Sequence, residues 1–145
     1  MTSVITGDII KSRNLKDQNI WMEQLKYALN TLSSDNSYYE IYRGDSFQYE
    51  CVDIYDSFIN AVYIKSCIKT IKGLDVRMSI GIGKKDYKGN TVSESNGEAF
   101  VHSGEIFETL KKEKINLKIK TRDFTLNEEL NLYFKLALIA MDNWT

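Results

Sequence analysis

Two acidic residues stand where a carboxylate can do more than solvate a surface. Asp8 follows a β-branched run in Thr6-Gly7-Asp8-Ile9-Ile10, and Asp45 lies in the turn-forming segment Arg43-Gly44-Asp45-Ser46-Phe47. Two carboxylates, with a backbone carbonyl close to Asp8, make the sparse oxygen set that hard Mg²⁺ accepts, because Mg²⁺ fills its other positions with water and nucleotide phosphates. The same residues also have a plain reading. Gly-Asp is ordinary turn chemistry, and an Asp at a strand end commonly caps the next segment. The pair can act together only if the fold joins two distant segments.

Other candidates carry less. His102 is the only histidine and has no Cys or Ser arrangement beside it, which favours a structural or surface role. Gly81-Ile82-Gly83 lacks the following Lys-Ser/Thr of a phosphate loop and reads as strand-end glycine. Lys111, Lys112, Lys114, Lys118 and Lys120 form a local basic cluster, whose ordinary meaning is a solvated face and whose alternative is contact with phosphate or nucleic acid. Cys51 and Cys67 have no metal-ligand spacing and sit on apolar stretches, so both are expected as buried reduced thiols.

The elements that must position these groups follow from apolar periodicity. Residues Ser3 to Ile10 read as a buried strand. From Asp17 the period becomes helical, through Trp21, Leu25, Ala28, Leu29 and Leu32, until the polar break Ser33-Ser34-Asp35-Asn36-Ser37. Tyr38 to Tyr42 and Phe47 to Val52 form a hairpin around Gly44 and Asp45. Ile54, Phe58, Ala61, Ile64, Ile68 and Ile71 mark a second helix closed by Gly73. Val76 to Ile82 is a strand, Lys84 to Asn96 a loop or ragged hairpin, Gly97 to Lys112 a third helix and Ile115 to Ile119 a last strand. Thr125 to Glu128 matches a capping box, and a final helix runs from there to the end.

The economical packing is α+β. It is a ferredoxin-like βαββαβ sheet with helices on one face, extended by one more helix and strand and then by the C-terminal helix. In that topology the first strand lies beside the hairpin, so Asp8 and Asp45 meet. Composition agrees with a folded chain: of 145 residues, 43% are hydrophobic and 27% charged. A net charge of -1 supplies no global field for DNA or anionic lipid, so direct nucleic-acid binding is not expected. With no basic leader, no long apolar run and two unpaired cysteines, the expected location is the cytoplasm.

Four motifs in order resemble the SatD-like family. Gly7-Asp8-Ile9-Ile10-Lys11-Ser12-Arg13 is similar to its GD-I-x-x-S-R opening, and Arg43-Gly44-Asp45-Ser46-Phe47-Gln48 to its GDEFQ hairpin. Arg77 to Gly83 is similar to its R-x-x-I-G-x-G strand, and Asn96-Gly97-Glu98-Ala99-Phe100 to its D-G-x-A-F helix start. More widely, the pattern resembles the palm-like nucleotidyl cyclase fold of class III cyclases and GGDEF diguanylate cyclases. That resemblance implies Mg²⁺ or Mn²⁺ held by Asp8, Asp45 and the Ile9 carbonyl, with Asp8 and Asp45 as the catalytic carboxylates. It also implies a nucleotide or related phosphorylated ligand, bound by Ile10, Lys11, Ser12, Arg13 and Arg43. Any reaction would be nucleotidyl transfer with release of pyrophosphate.

The departures weaken the catalytic part. Where class III cyclases carry an Asn and a charge-stabilising Arg, alignment places Val101 and Glu105, and neither can do that work. A purine-reading Lys becomes Ile41, and the second acid of GGDEF becomes Ser46. The resemblance thus leaves two expectations open: a metal-dependent nucleotide-binding, regulatory domain, or a degenerate interaction module of a DNA-binding regulator. Residues 1–121 read as the cyclase-like domain and 122–145 as a helix that, in SatD-like proteins, links to a helix-turn-helix segment which these residues do not supply. Leu132, Leu136 and Ile139 face outwards once Leu130, Tyr133, Phe134, Ala137 and Met141 cover the core, which predicts a homodimer.

Overall fold

The computed structural model describes residues 1–42, 44–87 and 96–144. Strand β1 (Thr2–Ile10) is followed by a single 3₁₀ turn (Ser12–Asn14) and helix α1 (Asn19–Leu32). Strands β2 (Tyr39–Tyr42) and β3 (Ser46–Cys51) form the hairpin, and helix α2 (Ser57–Lys69) leads to β4 (Asp75–Gly83). Short strands β5 (Lys85–Tyr87) and β6 (Asn96–Gly97) pair with each other before helix α3 (Glu98–Glu113), strand β7 (Leu117–Lys120) and helix α4 (Phe124–Met141). The expected Lys84 to Asn96 loop or ragged hairpin thus contains a short strand pair; residues 88–95 lie outside the described residues.

The main sheet has the order β2-β3-β1-β4-β7, antiparallel except where β4 and β7 run parallel. The βαββαβ core is present as expected, with β1 beside the hairpin. Alternation along the strands sorts side chains to two faces. On one face Ile5, Ile9, Phe47, Met78 and Ile80 meet Trp21, Leu25 and Leu29 of α1 and Ile64 and Ile68 of α2. Helix α4 joins this core through Phe134, Leu138 and Met141. The appended helix α3 takes the other face, where Val4 packs with Ala99 and Phe100. With helices on both sides, β1 is buried over nearly its whole length, which is why it reads as an almost unbroken apolar and small-residue run.

Close approach of α3 depends on Gly81. A Cβ there would lie 2.2 Å from the Ala99 carbonyl oxygen and 2.3 Å from the Ser103 nitrogen, so this glycine seats a helix and is no phosphate loop. Gly7 is similarly filled: the Phe47 ring lies across it, 2.5 Å from where a Cβ would stand. Lys65, 1% exposed, is kept charged-paired by Asp75 at 2.8 Å and Asp142 at 2.7 Å, tying α2 to β4 and to the residues just after α4.

Several sequence-based expectations need correction at the ends of elements. Helix α4 starts at Phe124, capped by Asp123 accepting from the Leu126 amide, so the Thr125–Glu128 box is not its cap. It stops at Met141, leaving Trp144 beyond the helix. Tyr133 is turned outwards and hydrogen-bonds Glu129, and Leu138 takes the buried place expected of it. The predicted outward stripe is present: Leu132, Leu136 and Ile139 are 55, 59 and 68% exposed. Cys51 and Cys67 are free and buried, as expected. No helix among the described residues is long and apolar enough to cross a membrane.

Candidate functional site

The hairpin turn is clasped to the end of β1. Gly44 has φ +78°, a backbone region that favours glycine, and this lets the chain reverse between β2 and β3. The Asp45 carbonyl then accepts from the Ile9 amide at 3.0 Å, carrying the sheet ladder past the last strand pair. The Asp45 carboxylate accepts from the Ser12 hydroxyl at 2.8 Å. Ser12 is itself fixed, because its carbonyl accepts from Gln18 Nε2, and Gln18 Oε1 accepts from Trp21 Nε1, each at 2.8 Å. A chain of bonds therefore runs from the hairpin through the β1–α1 connection into the core.

Asp8 pairs in register with Ser46 on β3 and Arg77 on β4, on the α3 side of the sheet. Both of its oxygens are engaged. Arg77 donates from Nε to Oδ1 at 3.0 Å and from Nη2 to Oδ2 at 2.9 Å, a fork-to-fork pair. The hydrogen bond to Asp8 holds the Arg77 guanidinium above its ordinary pKa, against partial burial, and the charges of Asp8 and Asp45 add to that. Asp45 therefore lies within electrostatic reach of the same guanidinium.

Of the residues expected to bind phosphate, Ile10 ends β1 and Lys11 follows it with φ +66°, a left-handed conformation that is costly for a side chain other than glycine. Ser12 is buried and Arg13 exposed. Ile9 lies in the core and uses its amide on Asp45. Arg43 lies outside the described residues. A cavity of about 100 Å³ is lined by Ser12, Arg13, Gln18, Trp21, Gly44 and Asp45. That is small beside the roughly 300–1,000 Å³ of a typical small-molecule site, and has room for one phosphoryl group but not for a nucleoside. A larger cavity of about 580 Å³ opens beside Ile10 and Lys11, with Lys69, Lys72 and Trp144 in its walls.

As arranged, the two carboxylates do not fit a divalent cation. Asp8 has given both oxygens to Arg77, Asp45 has given one to Ser12, and among the described residues no group of three or more His, Cys, Asp or Glu side chains is placed to hold a metal. Sequence reasoning expected Asp8 and Asp45 to meet and missed Arg77; strand pairing sets Ser46 beside Asp8 and the Asp45 carbonyl on the Ile9 amide, while the two carboxylates hold different partners. The signal was present as the first letter of the Arg77–Gly83 motif, but only the strand register sets it opposite Asp8.

The other candidates have structural duties. The Nδ1 atom of His102 is 2.9 Å from the Ile82 carbonyl, and Lys118 pairs with Glu113. Lys120 pairs with Glu105, which holds that carboxyl below its usual range. Ile41 packs against the core and Val101 faces outwards, so neither replaces the group whose position it takes.

No family model matches the chain, and no curated protein matches it. Among solved structures it is similar to the active GGEEF domain of a diguanylate cyclase from Vibrio cholerae, at 14% identity and a TM-score of 0.56, over 84% of this chain and 83% of that one. At that identity the likeness speaks for architecture alone: the chain has a nucleotidyl cyclase fold.

Proposed function

We propose that the protein binds a nucleotide or a related phosphorylated small molecule at the edge where β1, the β1–α1 connection and the hairpin meet, and that it acts by binding, in a regulatory role, without turnover. The observation that supports this most is the clasp itself, in which Asp45, Ser12 and the Ile9 amide hold three segments together next to Lys11 and Arg13. Binding is favoured over turnover because Val101 points outwards, Glu105 is paired with Lys120 and Ile41 lies against the core. The phosphoryl group enters the small cavity at Ser12 and Arg13, and the rest of the ligand extends towards the larger one beside Ile10 and Lys11.

The SatD-like resemblance rests on the four motifs and gives this reading its regulatory cast. A second reading keeps Mg²⁺ or Mn²⁺ at Asp8, Ile9 and Asp45. The cyclase fold and the hairpin turn lying against the end of β1 favour it, but Arg77 would first have to leave Asp8. A third, a non-binding interaction module, is weighed by the same measurement. In thermal melts with nucleoside mono-, di- and triphosphates, a ligand at about 100 times its dissociation constant adds about 2.7 kcal/mol, or roughly 5–10 °C for a chain of this size. A flat panel rejects the proposal. Pyrophosphate release from any triphosphate would restore catalysis.

Assembly belongs to the same proposal. The stripe Leu132, Leu136 and Ile139 suits a second copy of the chain, forming a two-fold dimer through α4. Light scattering should give a dimer mass that Leu136→Glu reduces to the monomer; a monomer in the parent chain ends this part.

A further inference from the structure

We propose that the ligand carries phosphoryl groups at two separated positions, as a nucleoside 3′,5′-bisphosphate does, with one in the small cavity at Ser12 and Arg13 and the other in the larger cavity on Lys69, Lys11 and Lys72. This inference rests on the ligand-binding reading above and adds the class of ligand that the site selects.

The charges around the larger cavity carry it. At about 580 Å³ that cavity has the size of an ordinary small-molecule site, and it lies where the end of β1, the end of α2 and the start of β4 meet. Its two acids are already matched. Asp75 Oδ1 accepts from Lys65 Nζ and from the Val76 amide, each at 2.8 Å, and Asp142 Oδ1 accepts from Lys65 at 2.7 Å and from Asn116 Nδ2 at 3.2 Å. Lys65 and Lys69 therefore balance Asp75 and Asp142. Lys11 and Lys72, both in the cavity wall, are surplus positive charge, for among the described residues neither makes an ion pair. The uncharged half of a nucleoside would leave that surplus unanswered, whereas a second anionic group meets it.

Lys69 supplies the buried anchor. Its side chain is 10% exposed, and its ammonium donates to the Asp142 carbonyl at 3.0 Å but reaches Asp75 Oδ2 only at 3.5 Å. An ammonium has three donors, so one is left for a phosphoryl oxygen and the long contact yields easily to another. Trp144 gives the same cavity an aromatic wall on which a base can lie. One ligand reaches both cavities because they flank a single segment: Ile10 and Lys11 line the larger, Ser12 and Arg13 the smaller, and these four residues span at most about 11 Å. A 5′-diphosphate places its two phosphoryl groups side by side, whereas a 3′,5′-bisphosphate places them across the ribose, so the two report position at equal phosphate number.

The test is calorimetric titration of the full chain, in the presence of Mg²⁺, with the 5′-monophosphate, 5′-diphosphate and 3′,5′-bisphosphate of adenosine and of guanosine. For at least one nucleoside the bisphosphate should bind about tenfold tighter than either of the others. Lys69→Met and Lys72→Met should each remove most of that advantage while leaving the 5′-monophosphate within about threefold of the parent. Trp144→Ala should weaken all three about tenfold. Thermal melts of each variant separate loss of the site from loss of the fold, and because Lys72 is exposed, Lys72→Met decides the matter where Lys69→Met unsettles the protein. A bisphosphate that binds no better than the 5′-monophosphate or the 5′-diphosphate overturns the two-position ligand and leaves the ligand-binding reading standing. A bisphosphate preference that survives Lys72→Met and a folded Lys69→Met overturns the place given to the second group. No binding of any probe removes both readings.

Discussion

The two faces of the sheet are held by different chemistry. Towards α1, α2 and α4 the contacts are mainly apolar and enclosed, with Ile5, Trp21, Leu25, Ile64 and Met78 at most 1% exposed, apart from the buried Lys65 ion pairs and the Ser57–Ser3 hydrogen bond. Towards α3 the sheet is lined by small and polar groups. Ser103 Oγ donates to Thr6 Oγ1 at 2.7 Å, Ser79 Oγ donates to the Ser103 carbonyl at 2.7 Å, and Gln48 reaches Thr6 at 3.2 Å. Nearer the start of β1, buried Glu50 accepts from Thr2 at 2.8 Å and pairs with Lys85 at 2.5 Å. Asp8 and Arg77 end the same polar row. The two faces tolerate change differently, because an apolar face gains from burial whatever its geometry, whereas a polar face is stable only if each group meets its partner.

That comparison can be broken at graded points. Leu25→Ala on the apolar face should cost about 2–5 kcal/mol in urea unfolding, since the transfer loss and a residual cavity add. Gly81→Ala on the α3 face should cost about 2–3 kcal/mol, because the new methyl meets backbone that cannot turn aside. Its signature is different: α3 lifts, and amides of α3 exchange faster while those of α1 and α2 do not. Ser103→Ala should cost about 1–2 kcal/mol, from Thr6 Oγ1 losing the hydroxyl that donates to it, while the bond from Ser79 Oγ to the carbonyl of residue 103 stays. Equal costs of all three with global loss of protection would show that the faces do not differ as described.

The smallest effect is a matter of pH. Burial, first, and the nearby Cys51 and Asp56 charges push the Tyr49 phenol up to about 12. An unfolded tyrosine ionises near pH 10, so the folded state gains this preference fully below about pH 10 and loses it as the pH rises towards 12. Tyr49→Phe should therefore flatten the alkaline loss of stability while leaving stability near neutrality almost unchanged. An identical alkaline slope in both proteins would mean that Tyr49 is reached by solvent.

The architecture was legible because the apolar period changes cleanly between strand and helix spacing along the chain. The Trp21, Leu25, Ala28, Leu29 stripe and the β-branched run of β1 leave little choice. The side of the sheet taken by α3 was not legible, since Ser79, Gly81 and Ser103 carry no apolar signal, and their fit is a matter of size and hydrogen bonding. The cap of α4 was misread because Asp123 and Thr125 both match capping chemistry, and only backbone geometry chooses Asp123. At the candidate site, topology was enough to set the hairpin turn against the end of β1. It could not reveal that Arg77 already holds Asp8, since that depends on register between strands far apart in sequence.

Gly7 and Phe47 share one volume. The ring of one occupies the space that the other leaves empty, and a methyl at position 7 would overlap it at 2.5 and 2.6 Å. The Gly-Asp at the end of β1 and the Asp-Ser-Phe of the hairpin are therefore a single discontinuous word, spelled by two segments and readable only when both are present. Neither half can be transplanted alone: a hairpin with its ring needs an empty seat on the neighbouring strand, and a strand with that seat empty needs the ring to close it. A library randomised at both positions should return coupled solutions, ring with glycine or smaller side chain with alanine, and few of the mixed ones.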